Sequence, residues 1–317
     1  MTITDEDEGV LDLMVESLTR IADGVFRVTL VDPDGCWLPE WTPGSHIDIE
    51  TPAGPRQYSL CGDPADQGRY TIAVLREPAS RGGSTYVHDV LRPGELVEVG
   101  GPRNHFELQP AKQYLFIAGG IGITPLLPML REVEARGEEW RLVYGGRTRS
   151  TMGFLDQLAA YGDRVQVWPE DELGLLPLEQ LLASAPEGLG VYCCGPSGLL
   201  DVVEQRCESA DVAVHLERFT AKDLSGLVDV PFTVVCSRSG VEREVPAGTS
   251  TLDVLEAEGI SVPNACREGV CGSCEVAVLE GVPEHRDSIR TGADLDDTTS
   301  LAVCVSRART PRLVLDI

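Results

Sequence analysis

The sequence predicts a multidomain chain: an antiparallel β-barrel, then an α/β domain with a parallel sheet, then a small third domain. Three observations carry this. The chain has 317 residues, 42% of them hydrophobic and 24% charged, a length and apolar content suited to two or three packed cores. Its hydrophobic rhythm changes near residue 109, and a polar stretch, Lys222-Asp-Leu-Ser-Gly226, sets off the C-terminal part of the chain.

Up to about residue 108 the apolar runs are short and alternate. Val25–Leu30, His46–Ile49, Tyr70–Val74 and Leu96–Val99 each read as a half-buried strand, and such strands between turn residues predict a barrel or sandwich over 9–108. Over 109–222 strand-like runs at Tyr114–Ala118, Arg141–Tyr144, Val165–Trp168 and Val191–Cys193 are separated by helical stretches such as Leu126–Arg136. Strands alternating with helices imply a parallel sheet. Over 228–317, Phe232–Cys236 and Val241–Val245 flank Ser237-Arg-Ser-Gly240 as a hairpin would. Ser250 is placed to cap a short helix, with Asp253 three residues on and Gly259 as its left-handed stop.

Charge removes several functions. With 51 acidic against 26 basic residues the formal net charge is −25, which repels nucleic-acid backbones and anionic lipid. No apolar run approaches the roughly 20 residues of a membrane helix, and the acidic N-terminus lacks the pattern of an export signal. A cytoplasmic protein is expected, with neither nucleic acid nor membrane as partner. There ten cysteines are ligands, active-site thiols or small core residues rather than a disulfide framework. His46, His88, His105, His215 and His285 show no ligand or triad spacing and are read as packing or surface residues.

The strongest chemical signal is Cys266-Arg-Glu-Gly-Val-Cys271-Gly-Ser-Cys274, a C-x4-C-x2-C run followed by Cys304. Four thiolates so spaced are the ligand set of a plant-type [2Fe-2S] cluster. Gly269 and Gly272 permit the backbone to approach the sulfurs. Zinc is the alternative, but its ribbons usually present two C-x2-C pairs. Pro263-Asn-Ala-Cys266 through Cys274, with Cys304-Val-Ser-Arg-Ala308, resembles a plant-type ferredoxin domain, which implies a β-grasp fold and a one-electron exit.

A second site lies at Tyr114-Leu-Phe-Ile-Ala-Gly119-Gly120-Ile-Gly122-Ile-Thr124-Pro125, an apolar strand entering glycines and then a helix. Thr124 is the expected N-cap and Pro125 the first helical residue, so the helix start faces whatever fills the loop, and a pyrophosphate suits it. The run departs from the Rossmann fingerprint, and a tight structural turn is the other reading. Val191-Tyr-Cys-Cys194-Gly195-Pro196 ends a further strand in the same manner. Together the two loops resemble the pyridine-nucleotide domain of the ferredoxin-NADP reductase superfamily, which implies nicotinamide-pocket roles for Cys194 and Thr124 and nucleotide contacts from Gly120, Gly122, Gly195 and Pro196. Without that resemblance, Cys194 is an ordinary buried thiol.

The third site is Arg56-Gln-Tyr58-Ser59, followed by Arg81-Gly-Gly83-Ser84. A guanidinium, an aromatic face and a hydroxyl on one strand can serve a flavin: Arg56 for phosphate, Tyr58 against the ring, Ser59 near N5; read alone, the run is an ordinary barrel strand. R-x-Y-S before a glycine-rich segment resembles the superfamily's flavin signature, which implies that Arg81, Gly83 and Ser84 assist at the phosphate. Glu217-Arg-Phe219 matches a family segment whose aromatic lies over the flavin on the nicotinamide side. The domain order resembles the phthalate dioxygenase reductase and vanillate O-demethylase reductase group, which implies FMN and NADH. Arg147 and Arg149 leave NADPH open as 2′-phosphate ligands. Nicotinamide gives electrons in pairs and the cluster takes one at a time, so a flavin between them is expected to split the pair. The expected acceptor is a terminal Rieske oxygenase acting on an aromatic or methoxylated compound, with a basic docking patch; a cytochrome P450 is the alternative acceptor. In another class, the cluster belongs to a redox sensor without turnover.

Overall fold

Six strands build the first sheet: β1 (Leu11–Ala22), β2 (Val25–Val31), β3 (Ser45–Ile49), β4 (Arg56–Ser59), β5 (Tyr70–Leu75) and β6 (Leu96–Asn104). Their order is β4-β3-β6-β1-β2-β5, every pairing is antiparallel, and a bridge from Leu60 to Ile72 draws the two edges together. The expected barrel is present. Alternate residues fill it: Leu13 and Val15, Val28 and Leu30, Ile47 and Ile49, Ile72 and Val74, Val97 and Val99 are all buried. Each such side chain contributes about 1.5–3 kcal/mol when fully buried. The sequence did not mark β1, because irregularities at Val15/Ser17 and Arg20/Ala22 break its alternation.

The computed structural model describes residues 10–182, 186–290 and 295–317. The acidic run at the N-terminus and the first predicted boundary, at residue 9, lie outside them.

The second sheet is wholly parallel: β7 (Gln113–Gly119), β8 (Glu139–Gly146), β9 (Val165–Pro169), β10 (Leu189–Cys194) and β11 (Ala213–Glu217), in the order β11-β10-β7-β8-β9. Tyr114, Phe116 and Ala118 on one face pack with the helix Leu126–Ala135. Leu115, Ile117, Val191 and Cys193 on the other pack with Leu200, Val203 and Cys207 of the helix Ser197–Ala210. Covered on both faces, the strands are continuously apolar. The chain leaves β7 toward β8 and β9, then returns to its other side as β10. That makes the carboxyl ends of β7 and β10 the switch point where such sheets bind ligands.

These two sheets share one compact unit that ends at Glu217; a second runs from Arg218 to Ile317. The division falls ahead of the predicted domain end at residue 222, because Lys222 is already bonded to the second unit: its N–H donates to Ser288 Oγ at 2.9 Å.

In that second unit β12 (Phe232–Cys236), β13 (Glu242–Val245), β14 (Glu275–Glu280), β16 (Ser300–Ala302) and β18 (Arg312–Leu315) form a mixed sheet ordered β13-β12-β18-β14-β16. A two-stranded ribbon joins β15 (Pro283–Glu284) to β17 (Arg307–Ala308). Leu252 and Leu255 of the helix Thr251–Ala257 are buried with Phe232, Val234, Leu301 and Leu313. Ser250 Oγ accepts from the N–H of Asp253 at 3.0 Å, and Gly259 follows with φ 75°, so both predicted helix signals are in place. One helix across a mixed sheet is the β-grasp arrangement. Among the described residues no helix is long and apolar enough to cross a membrane.

Candidate functional site

In the second unit the loop 266–274 wraps backbone around sulfur. Arg267, Gly269 and Gly272 have φ of 55°, 72° and 72°. These left-handed turns aim the N–H groups of Glu268 and Val270 at Cys266 Sγ, at 3.3 and 3.5 Å. A Cβ on Gly269 would stand 2.5 Å from Val305 Cγ2 and 3.1 Å from Asp287 Cα, so only glycine fits there. The four cysteines meet. Contacts with the thiols of Cys271 and Cys304 hold Cys266 well below the ordinary thiol range, and Cys304 in turn lowers Cys274. Among the described residues no three His, Cys, Asp or Glu side chains gather about a single ion. The four thiols touch in series, Cys271 to Cys266 to Cys304 to Cys274, and four cysteine sulfurs are what a [2Fe-2S] cluster requires. Four gathered sulfurs with inward N–H groups are a donor set that fits a [2Fe-2S] group.

At the switch point of the parallel sheet the two glycine loops interlock. A Cβ on Gly122 would lie 2.2 Å from the carbonyl oxygen of Cys194, and one on Gly195 would lie 3.0 Å from Gly119 Cα. Pro196 Cδ stands 2.7 Å from where a Cβ of Gly119 would be. Gly120 takes φ 57° with open space where a Cβ would project. One expectation fails here: Thr124 does not cap the helix. A 3-10 turn, Gly120–Ile123, precedes it, Thr124 is already helical, and its Oγ1 donates back to the carbonyl of Ile121 at 3.0 Å. Pro125 stands before Leu126 at the cap position instead. Arg147, just beyond β8, is exposed. Nearby Arg149 pairs with Glu172 at 3.3 Å.

On β4, Arg56 donates to the carbonyls of Pro55 at 2.8 Å and Arg81 at 3.0 Å, and its Cγ lies 2.5 Å from the Cβ position of Gly83. Ser84 Oγ bonds Ser80 Oγ at 3.0 Å and accepts from the N–H of Glu77 at 3.1 Å, which orders the loop; Arg81 is exposed. Burial pushes the Tyr58 hydroxyl up to about 12, against the pull of Arg56. Gln57 and Ser59 share the opposite face of the strand. The amide nitrogen of Gln57 is buried with no protein partner, a donor that a carbonyl-bearing ring can use. That orphan and the close fit of Arg56 on Gly83 suit a phosphorylated heterocycle such as FMN.

Glu217 joins these segments, although sequence reasoning assigned it no role. It ends β11, half-buried, and Ser59 Oγ donates to its Oε2 at 3.5 Å. Burial pushes its carboxyl up to about 8, with hydrogen bonds from Ser59 and Cys194 opposing. Burial above all holds Cys194 far above the ordinary thiol value, and Glu217 adds to this once ionised, so it is no nucleophile. The signal was a lone acid closing the run Ala213-Val-His-Leu-Glu217. Phe219 belongs to the second unit and is 41% exposed.

The 2Fe-2S iron-sulfur cluster binding domain family matches residues 234–309, a span holding all four cysteines. Phthalate dioxygenase reductase of Burkholderia cepacia is 38% identical over 99% of both chains. The chain belongs to the phthalate dioxygenase reductase family. A further relative, phenoxybenzoate dioxygenase subunit beta of Ectopseudomonas oleovorans, is 43% identical over 97% of each chain. Among solved structures, phthalate dioxygenase reductase, described as a modular structure for electron transfer from pyridine nucleotides to [2Fe-2S], superposes with a TM-score of 0.70. It is 36% identical and is covered, like this chain, to 98%. An intact type IV self-sufficient cytochrome P450 monooxygenase matches with a TM-score of 0.92 and 41% identity over 97% of this chain; the chain spans 41% of that protein's length. Membership of the family makes the chain an oxidoreductase and a reductase component.

Proposed function

We propose that this chain takes hydride from NADH and delivers single electrons to a terminal oxygenase acting on an aromatic or methoxylated compound. The observation that carries the reading is the meeting of Ser59, Glu217 and Cys194, which joins the flavin strand to the nucleotide switch point in one cluster. The assigned regions are a flavin barrel over 9–108, a nucleotide domain over 109–222 and a ferredoxin domain over 228–317. When bound, FMN accepts an electron pair and releases it singly, and a [2Fe-2S] cluster carries one electron at a time.

The chain's own residues supply binding and a controlled interior. Cys266, Cys271, Cys274 and Cys304 hold the cluster; Arg56, Gly83, Ser84 and Arg81 serve the flavin phosphate, with Tyr58 and Ser59 at the ring. Gly120, Gly122, Thr124, Gly195 and Pro196 receive the nucleotide. At neutral pH Glu217 carries its proton, since its carboxyl is raised to about 8 by burial. The protonated acid and the neutral Cys194 thiol leave the pocket uncharged, and Ser59 Oγ is placed to exchange a proton with Glu217 Oε2. The neutral wall sets no full charge beside the hydride path.

Carboxylates favour NADH over NADPH. Glu170, Asp171 and Glu172 crowd the turn after β9, the N–H of Asp171 donates to the Arg147 carbonyl at 3.1 Å, and Glu172 occupies Arg149. A 2′-phosphate meets that charge and is repelled. The ferredoxin region from Leu227 carries 15 acidic and 8 basic residues, 8 − 15 = −7, which suits a basic docking patch on the oxygenase. None of the ten cysteines is joined in a disulfide, which suits a reducing cytoplasm. The 41% identity to part of a self-sufficient P450 favours a P450 as second acceptor, and reconstitution with each acceptor separates the two.

Anaerobic titration with NADH, followed by absorbance and low-temperature EPR, tests the relay. Flavin bleaching with a rhombic cluster signal supports it. A colourless reconstituted protein, or one that stays oxidised under excess NADH, refutes it and leaves the sensor.

A further inference from the structure

The segment His285–Arg290 is not a ligand loop, yet it carries the densest buried polar network of the second unit. Arg286 has a side chain 4% exposed, and Asp287 has one at 0%. Each of three consecutive residues ties down something different. Arg286 Nη1 meets Asp229 Oδ1 at 2.5 Å, and its Nη2 donates to the carbonyl of Val228 at 3.1 Å. Asp287 accepts from Ser306 Oγ at 3.2 Å and from Arg290 Nη1 at 3.0 Å; Ser306 stands two residues beyond Cys304. The N–H of Ser288 donates to the carbonyl of Gly269, inside the cysteine loop, at 2.7 Å.

The other partners of this segment are the linker. Lys222 N–H donates to Ser288 Oγ at 2.9 Å and its Nζ to the carbonyl of Arg290 at 3.2 Å. At the linker's far end Arg307 Nη2 donates to the carbonyl of Val230 at 3.2 Å, and Asp229 Oδ2 accepts from the N–H of Gly248 at 2.8 Å. Linker residues Leu227, Val228 and Val230 are 48%, 79% and 63% exposed. Little apolar burial holds them, so the polar clamp does. Both ends of the linker are therefore stapled to the strip that closes over Gly269.

We propose that Asp229, Arg286 and Ser288 are positioning residues that lock the linker Lys222–Val230 to the cysteine loop, so that linker and cluster move as one body. The lock sets the rate at which an electron passes from flavin to cluster, a consequence that rests on the proposed relay. Arg286 also pairs with Glu284 at 3.1 Å. Removing the charge of Asp229 thus leaves the Arg286 guanidinium partnered, and the carbonyls of Thr249 and Val230 still hold Arg307.

The test is Asp229→Asn in the cofactor-loaded full chain, with Asp229→Glu as the conservative variant. Two readouts are taken: the rate of tryptic cleavage after Lys222, and the NADH-driven rate of cluster reduction by anaerobic stopped flow. The lock predicts cleavage about tenfold faster and cluster reduction about tenfold slower. The dithionite-reduced EPR spectrum and iron content should be unchanged, and Asp229→Glu should restore both rates. Wild-type cleavage and reduction rates in Asp229→Asn overturn the proposal. So does loss of iron, which would make Asp229 part of the cluster's own fold. If the unaltered protein passes no NADH electrons to its cluster, the relay fails, and the cleavage ratio alone decides the lock.

Discussion

Ser59 Oγ donates to Glu217 Oε2 at 3.5 Å across 158 positions of sequence, so the end of a barrel strand and the end of the last parallel strand share one half-buried carboxyl. Burial raises that carboxyl from 4.5 to about 8. Between those values the folded chain keeps a proton that the unfolded chain has lost. The associated stability is complete below pH 4.5 and is lost as pH rises through about 8. Glu217→Gln should therefore gain on the unaltered protein from pH 5 to 9, by on the order of 3 kcal/mol. Thermal denaturation across that range checks it, and a pH-independent difference would sink the assignment.

Gly122→Ala places a methyl group 2.2 Å from the Cys194 carbonyl oxygen. Backbone cannot step aside cheaply, so urea unfolding should show a loss of about 3 kcal/mol. NADH binding should weaken while iron content stays the same.

Cys304→Ser removes the sulfur that meets both Cys266 and Cys274 of the loop. The low-temperature EPR signal should vanish and NADH-driven cytochrome c reduction fall by about a hundredfold or more. Ferricyanide reduction, which draws on the flavin, should stay within about twofold.

Glu172→Gln releases Arg149 from its partner at 3.3 Å. The kcat/KM for NADPH should rise about tenfold and that for NADH change by less than about twofold. Equal changes for both nucleotides would place the 2′ position elsewhere.

Electron transfer to the oxygenase should slow as ionic strength rises from about 0.01 to about 0.2 M, because the acidic ferredoxin region steers its partner over roughly a Debye length. A rate indifferent to salt in stopped-flow mixing counts against charge-guided docking.

Local spacing made much of this readable. The cysteine run, the glycine turns and the capping pair Ser250 and Asp253 are each written within a few residues. Long-range closure was not. Nothing in Ala213–Glu217 says that its last acid will reach Ser59, and the irregular pairing of β1 hid a twelve-residue strand. Thr124 misled because a cap depends on where the helix begins, and the preceding 3-10 turn moved that point. The pairing of Arg149 was hidden because its partner Glu172 lies beyond the end of another strand.

Cys193 and Cys194 sit side by side in sequence yet project from opposite faces of β10, and both are enclosed. With the four cluster sulfurs ligated, Cys36, in the loop after β2, is the one exposed cysteine among the described residues. A maleimide reagent therefore has a single address on the loaded protein. A fluorophore or electrode tether can be fixed at that position without first deleting any other thiol.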